Sequence, residues 1–323
     1  MIFNSKQMIR HDFLKEADRA VSARFIRLSA CFFLLLFASS VSAETVNPGI
    51  GMTGLVFDYT VTEGDSQTKV GARFGMEPRL LAKLNDLSVT AHLKLGQTLK
   101  IDNQHVVPAV LHDGILINLP QRMLFRMKGG ELQAAYPVAV GRPSWPTPDG
   151  DFVIISREQD KTWFVPPSIQ REMRLEGKPV LTGVPPGPDN PLGRYWLGLS
   201  LPGIGIHGTI APQSIYDFRT HGCIRLHPDD IEALFQTVEK GEAGRIVYQP
   251  ILLFPATDGR IFLEVHRDIY RQGVDSLKTA KELAYAAGVT DRIDWDKVAS
   301  VIEAREGAAI DVALKIANSR EEP

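Results

Sequence analysis

Hydrophobic and polar positions alternate with four different textures along this 323-residue chain. Leu28 to Val41 is a predominantly apolar run centred on Phe32-Phe33-Leu34-Leu35-Leu36-Phe37, behind a stretch carrying Lys6, Arg10, Lys15, Arg19, Arg24 and Arg27. It closes on the small residues Val41-Ser42-Ala43, before Glu44. A basic region, a short apolar run and a small-residue site are the layout of a cleavable export signal, here residues 1–43. The run is too short for a spanning helix. The second texture covers residues 58–102. Tyr59-Thr60-Val61 alternates as a strand, and Ser66 to Phe74 places Val70 and Phe74 on one helical face before Gly75. Pro78 opens a second helix with Leu80, Leu81 and Leu84 as its stripe, and Gly96 to Ile101 closes the unit with a turn and a strand. The prediction is a small α+β module of βααβ order.

From Gly114 the runs shorten and turns crowd together. Ile115–Leu119, Gln121–Arg126, Leu132–Val140 and Phe152–Ser156 are β runs, with Gly129-Gly130 marking one turn. Such spacing predicts a mainly β domain, a sandwich or barrel rather than a parallel α/β sheet, over residues 112–250. A stiff Gly- and Pro-rich loop from about 157 to 195 is expected to border a groove. His227-Pro228-Asp229-Asp230 reads as a helix start, with the helix continuing to about Glu239. In residues 251–323, Gly259 to Val265 predicts a strand. Ser276–Ala287 and Trp295–Leu314 predict helices, the second interrupted by Gly307, so a strand and a helical C-terminal extension follow.

Composition narrows the function. At 44% hydrophobic residues the chain can build packed cores. Six of the 36 Lys and Arg and three of the 38 Asp and Glu lie in residues 1–43, which leaves 30 basic against 35 acidic side chains. No clustered basic excess marks a nucleic-acid partner. Of the two cysteines, Cys31 falls within the leader and Cys223 stands alone in the exported part. Leu28-Ser29-Ala30-Cys31 lies ahead of the Phe32–Phe37 centre of the apolar run, where a lipidation box would follow the run. Oxidising compartments pair cysteines, so a lone thiol there points to a use for its reactivity.

Cys223 lies in Thr220-His221-Gly222-Cys223-Ile224-Arg225, sixteen residues after His207. A thiol attacks an acyl carbon as thiolate and needs a base or a cation close by. His207 follows the apolar strand Gly203–Ile206 and is the first candidate base, holding the thiolate as an ion pair and then protonating a leaving amine. His221 is a second candidate whose reach the sequence does not define. The Gly208 carbonyl is positioned to fix the His207 tautomer, and the amides of His221, Gly222 and Cys223 are candidate oxyanion donors. Thr220 and Arg225 are read as substrate-binding, Arg225 through its forked charge, suited to a carboxylate or to bracing the loop. A zinc site from His207, His221, Cys223 and His227 lacks metal-ligand spacing, so neither metal nor cofactor is expected.

These residues carry two resemblances. Tyr59-x-Val61, Gly64-Asp65-Ser66, Phe74-Gly75, Leu81, Asn85 and Gly96-Gln97-x-Leu99-x-Ile101 resemble the LysM module, which binds the N-acetylglucosamine backbone of peptidoglycan and chitin. Gln67 departs from it, an apolar residue being usual there. His207-Gly208-Thr209 and Thr220 to Arg225, with Thr147 to Phe152 and Asn190-Pro191-Leu192-Gly193 upstream, resemble the YkuD-type L,D-transpeptidases. That resemblance implies a β-sandwich catalytic domain whose cysteine takes the acyl group of an L,D-peptide bond in a stem tetrapeptide and expels D-alanine. It also implies His207 as base, the Gly208 carbonyl as its orienter, and His221, Gly222 and Cys223 around the oxyanion. The expected partner is peptidoglycan in a Gram-negative periplasm, with an outer-membrane lipoprotein lysine, a diaminopimelate side chain or a free D-amino acid as acceptor. Water as acceptor would make the protein an L,D-carboxypeptidase. A cysteine endopeptidase of the NlpC type carries Cys before His, the reverse of this order, and a non-enzymatic wall-binding protein would leave the Cys/His/Arg set unused.

Overall fold

The computed structural model describes residues 47–315. The predicted export signal and Cys31 lie outside the described residues. A short strand β1 (Gly51–Thr53) leads into β2 (Val56–Thr60), α1 (Gln67–Phe74), α2 (Pro78–Leu84) and β3 (Thr98–Asp102), the βααβ order read from the sequence. β2 and β3 pair antiparallel from Val56↔Asp102 to Thr60↔Thr98. The Ser66 side chain caps α1 by accepting from the Lys69 amide, and Gly75 ends it in the left-handed region at φ 73°. Val61, Val70, Leu81, Leu99 and Ile101 form a buried core. Gln67 does not loosen this packing. It is buried, and its Nε2 donates to the carbonyls of Ser88 and Ala91, both at 2.8 Å, tying α1 to the following loop.

β4 (His105–Val107) pairs with β1 and leads into the central sheet: β5 (Gly114–Asn118), β6 (Met123–Lys128), β7 (Glu131–Gly141) and β8 (Gly150–Gln159). A flap follows, made of β9 (Trp163–Phe164), α3 (Pro167–Leu175) and β10 (Gly183–Val184), with β9 and β10 paired. The sheet resumes with β11 (Tyr195–Leu199), β12 (Gly205–His207), β13 (Phe218–Thr220) and β14 (Ile224–Leu226), then α4 (Pro228–Thr237) and β15 (Ala243–Val247). The expected stiff loop is therefore a β-hairpin carrying a helix.

The strands run β7-β14-β12-β11-β8-β15-β5-β6, and β6 pairs back onto β7, so eight strands close into a barrel-like sheet with β13 added against β7. The mainly β reading stands; of the sandwich or barrel that the spacing allowed, the sheet is the closed one, where the resemblance implied a sandwich. The cause is the eleven-residue β7. Its first part pairs with β6 through the Gly129-Gly130 turn, where both φ are positive, and its second part pairs with β14 at Val138 and Ala139. Ile115, Ile117, Phe152, Ile154, Leu197, Ile206 and Ile224 fill the interior, and Ile231 and Leu234 of α4 pack against them.

The C-terminal part is β16 (Ile251–Pro255), β17 (Ile261–Val265), α5 (Ser276–Ala286), α6 (Trp295–Ala304) and β18 (Ala309–Asp311). Here the sequence reading needs correction, because the last helix stops at Ala304 rather than at Leu314. Arg305 turns left-handed, the Gly307 amide donates to the Val265 carbonyl at 2.9 Å, and β18 joins β17. The extension is a three-stranded antiparallel sheet backed by two helices, with its own core of Leu253, Leu263, Leu283 and Val298. Buried Glu264 of β17 binds His105 Nδ1 at 2.8 Å and the Val106 amide at 2.7 Å, while His105 Nε2 meets the Gly75 carbonyl at 3.0 Å. One carboxylate thus ties the C-terminal unit to β4, and through His105 to the end of α1.

Candidate active site

β12 and β14 lie parallel in the closed sheet, with His207 paired to Arg225. Since the intervening chain must return to the same end of the sheet, the turn carrying Cys223 emerges beside the start of β12, next to Gly205, with His207 two residues further along that strand. His207, Thr220, His221, Cys223 and Arg225 all line one groove of about 840 Å³, bounded on its other side by the flap. Gly208 follows His207 and Gly222 precedes Cys223 in the chain.

His207 is 4% exposed, and its Nδ1 is 2.7 Å from the Gly208 carbonyl. A carbonyl only accepts, so Nδ1 carries the proton and Nε2 is left as the basic nitrogen. Trp196, opposite His207 on β11, stacks on the ring at 5.8 Å between centroids. Burial, and secondarily the Arg225 charge, push the imidazole down to about 3. Burial likewise pushes the Cys223 thiol up, against the Gly205 amide and Arg225, which favour the thiolate. Burial therefore works against both charges of the expected resting ion pair, on the imidazole most of all, while Cys223 keeps partial exposure to the groove.

The cysteine turn is braced from inside. Thr220 is buried, its hydroxyl donating to the Cys223 carbonyl at 2.6 Å and accepting from the Gly222 amide at 3.2 Å. The Thr220 hydroxyl thus shapes the loop, and the Gly222 amide already has a partner within the turn. Gly222 sits at φ 107°, and a Cβ there would approach Ile204 Cδ1 to 3.1 Å. Gly222→Ala is expected to cost about 1–3 kcal/mol of stability, the range for a strained backbone. Urea denaturation would show the loss as a lower midpoint at unchanged slope.

His221 turns to the flap rather than to the thiol. Its Nε2 meets Glu172 of α3 at 2.5 Å and Arg142 at 3.1 Å, and Trp145 packs edge-on at 4.6 Å. That nitrogen is thus engaged by the flap. Arg225 Nη1 donates to Ser214 Oγ at 2.9 Å, which braces the guanidinium beside the cysteine turn. His227 stands apart from this set, accepting from the Asp229 amide at the start of α4 and meeting Arg73 of α1.

Sequence reading missed Trp196, Glu172, Ser214 and the role of Thr147. Trp196 had a signal in the alternation of β11, where buried Tyr195, Leu197 and Leu199 leave it on the opposite face. Thr147 lay in a quoted motif without a role. Its hydroxyl donates to the Gly222 carbonyl at 2.8 Å. Glu172 and Ser214 had no local signal.

Residues 112–248 match the family model of the L,D-transpeptidase catalytic domain, and residues 59–102 match that of the LysM domain. The chain is similar to the Escherichia coli K12 protein named "Probable L,D-transpeptidase ErfK/SrfK", at 31% identity over 249 residues, 75% of this chain and 80% of that one. It is also similar to "Probable L,D-transpeptidase YbiS" of the same organism, at 30% identity over 248 residues, 75% of this chain and 81% of that one. Among solved structures, the catalytic domain from E. faecium L,D-transpeptidase acylated by ertapenem overlaps 43% of this chain and 100% of its own, at 25% identity and a TM-score of 0.34.

Proposed function

The chain belongs to the YkuD-type L,D-transpeptidase family and carries a LysM module, and from that premise we propose that it is an exported cysteine acyltransferase acting on peptidoglycan stem peptides. The observation that carries the reading is the convergence of Cys223, His207 and Arg225 on one groove, with His207 Nδ1 held by the Gly208 carbonyl. Cys223 Sγ attacks the carbonyl carbon of the L,D-peptide bond in a tetrapeptide stem while its proton moves to His207 Nε2. The amides of His221 and Cys223 receive the oxyanion, the Gly222 amide being engaged by Thr220. Collapse breaks the carbon–nitrogen bond, and the imidazolium returns the proton to the departing D-alanine amine. The thioester then passes to an acceptor amine, with His207 taking the amine proton and handing it back to sulfur.

Arg225 binds substrate carboxylate or holds the turn through Ser214. The LysM module grips the glycan, which raises the local concentration of stems near the thiol. Residues 1–43 direct the chain to the periplasm. The acceptor is a second stem or an outer-membrane lipoprotein lysine, both primary amines.

Incubation of the purified protein with disaccharide-tetrapeptide, followed by mass spectrometry, tests this reading. Cross-linked dimers and released D-alanine are expected. Tripeptide and D-alanine without dimers would shift the assignment to an L,D-carboxypeptidase. No product at all would leave a wall-binding protein.

A further inference from the structure

We propose that Tyr270, which lies beyond the matched catalytic residues 112–248, is a positioning residue for the oxyanion donor at Cys223, so that the C-terminal segment completes the active site; this rests on the proposed acyl-transfer reading. The Tyr270 hydroxyl donates to the Gly141 carbonyl at 2.6 Å and accepts from the Thr147 amide at 3.3 Å. Thr147 is 2% exposed; its Oγ1 accepts from the Gly141 amide at 2.8 Å and donates to the Gly222 carbonyl at 2.8 Å. That carbonyl and the Cys223 N–H belong to one planar trans peptide unit and point in opposite directions. Holding one end of the unit therefore aims the other. At φ 107°, Gly222 has freedom that no side chain of its own restrains; Thr220 holds the Gly222 amide and the Cys223 carbonyl, and Thr147 alone among the described side chains holds the carbonyl of the unit that carries the Cys223 N–H.

Tyr270 is itself held on several sides. Its amide donates to the Tyr248 hydroxyl at 2.9 Å, the two rings stack at 5.4 Å, and Phe218 of β13 packs edge-on at 6.0 Å. The Tyr248 hydroxyl donates to Asp268, whose carboxylate also accepts from the amides of Gln272 and Gly273 at 2.9 and 2.8 Å. The tight turn over residues 268–273 thus presents a fixed hydroxyl to the loop beneath the nucleophile. Donors aimed at a developing oxyanion act on the transition state of acyl transfer, whereas alkylation of a thiol forms no oxyanion.

The full-length protein and its Tyr270→Phe, Thr147→Val and Thr147→Ser variants are compared in two reactions of Cys223, acylation by p-nitrophenyl acetate and alkylation by iodoacetamide. Tyr270→Phe is expected to slow acylation about five- to tenfold and to leave alkylation within about twofold, the size of losing one neutral hydrogen bond. Thr147→Val is expected to slow acylation further, and Thr147→Ser to restore it. Equal rates in both reactions for Tyr270→Phe would overturn the inference, and so would a parallel fall in both, which would mark general distortion of the loop. Neither probe is a stem peptide, so this outcome is independent of whether the parent releases D-alanine, which decides the functional reading by itself.

Discussion

Cys223→Ala is expected to reduce D-alanine release from a tetrapeptide stem to background, on the order of 10⁴-fold or more. In the proposed mechanism alanine removes the atom that forms the thioester and leaves only binding and any oxyanion stabilisation. His207→Ala is expected to cost nearly as much, because the nucleophile and its base act as one unit. The double variant should therefore be no worse than either single one. The pH dependence of kcat/KM adds a sharper test. With His207 held down to about 3 from an ordinary 6.5 by burial, the free protein keeps a neutral base throughout the weakly acidic range. No acidic limb assignable to His207 is expected near pH 6.5. A limb there that disappears in His207→Ala would show the imidazole to be hydrated and would restore the ion-pair picture.

Glu264→Ala is expected to be the most damaging single change to stability. The carboxylate is fully buried and accepts from His105, His266, Gln121 and the Val106 amide. Removing it leaves four donors without a partner in a dry site, a loss of about 3–5 kcal/mol. At roughly 2–4 °C per kcal/mol for a chain of this size, the melting temperature should fall by roughly 10 °C. Desolvation acts to raise this carboxyl, but His105 and His266 outweigh it and hold it at about 2, below its ordinary 4.5. A depressed acid contributes its full stability above the unfolded value, and the contribution disappears as pH falls from about 4.5 toward about 2. Scanning calorimetry of parent and variant should show the full gap above about pH 4.5 and a gap that narrows below it. A gap independent of pH would mean that packing, not charge, sets the cost.

Glu264 also illustrates what the sequence concealed. Gly259 to Val265 reads as a strand, and Ile261–Val265 forms one, yet nothing local marks one acid in it as the partner of His105, 159 residues away. The last helix failed for a related reason. Trp295 onward carries a helical pattern, but pairing of Ala309–Asp311 with β17 overrides it once that edge exists. In the candidate site, Cys223, His207, Thr220, His221 and Arg225 were legible from residue type and spacing, and the groove gathers all five. Their division of labour was not legible. Only the structure turns His221 toward Glu172 and turns the Thr220 hydroxyl inward to the Cys223 carbonyl.

The sequence by itself determined those features in which residues within one or two turns of each other agree. These are the βααβ module with its Ser66 and Gly75 caps, the Gly129-Gly130 hairpin, and the placing of a thiol and an imidazole near a strand end. Tertiary structure decided the closure of the sheet through β6 and β7, the reach of Tyr270 to Thr147, and the burial that weighs against charge on His207 and Cys223. Closure and reach depend on pairings between distant segments, whose favoured register no local pattern encodes. Protonation depends on how much water the assembled neighbours exclude, which exists only once they are packed.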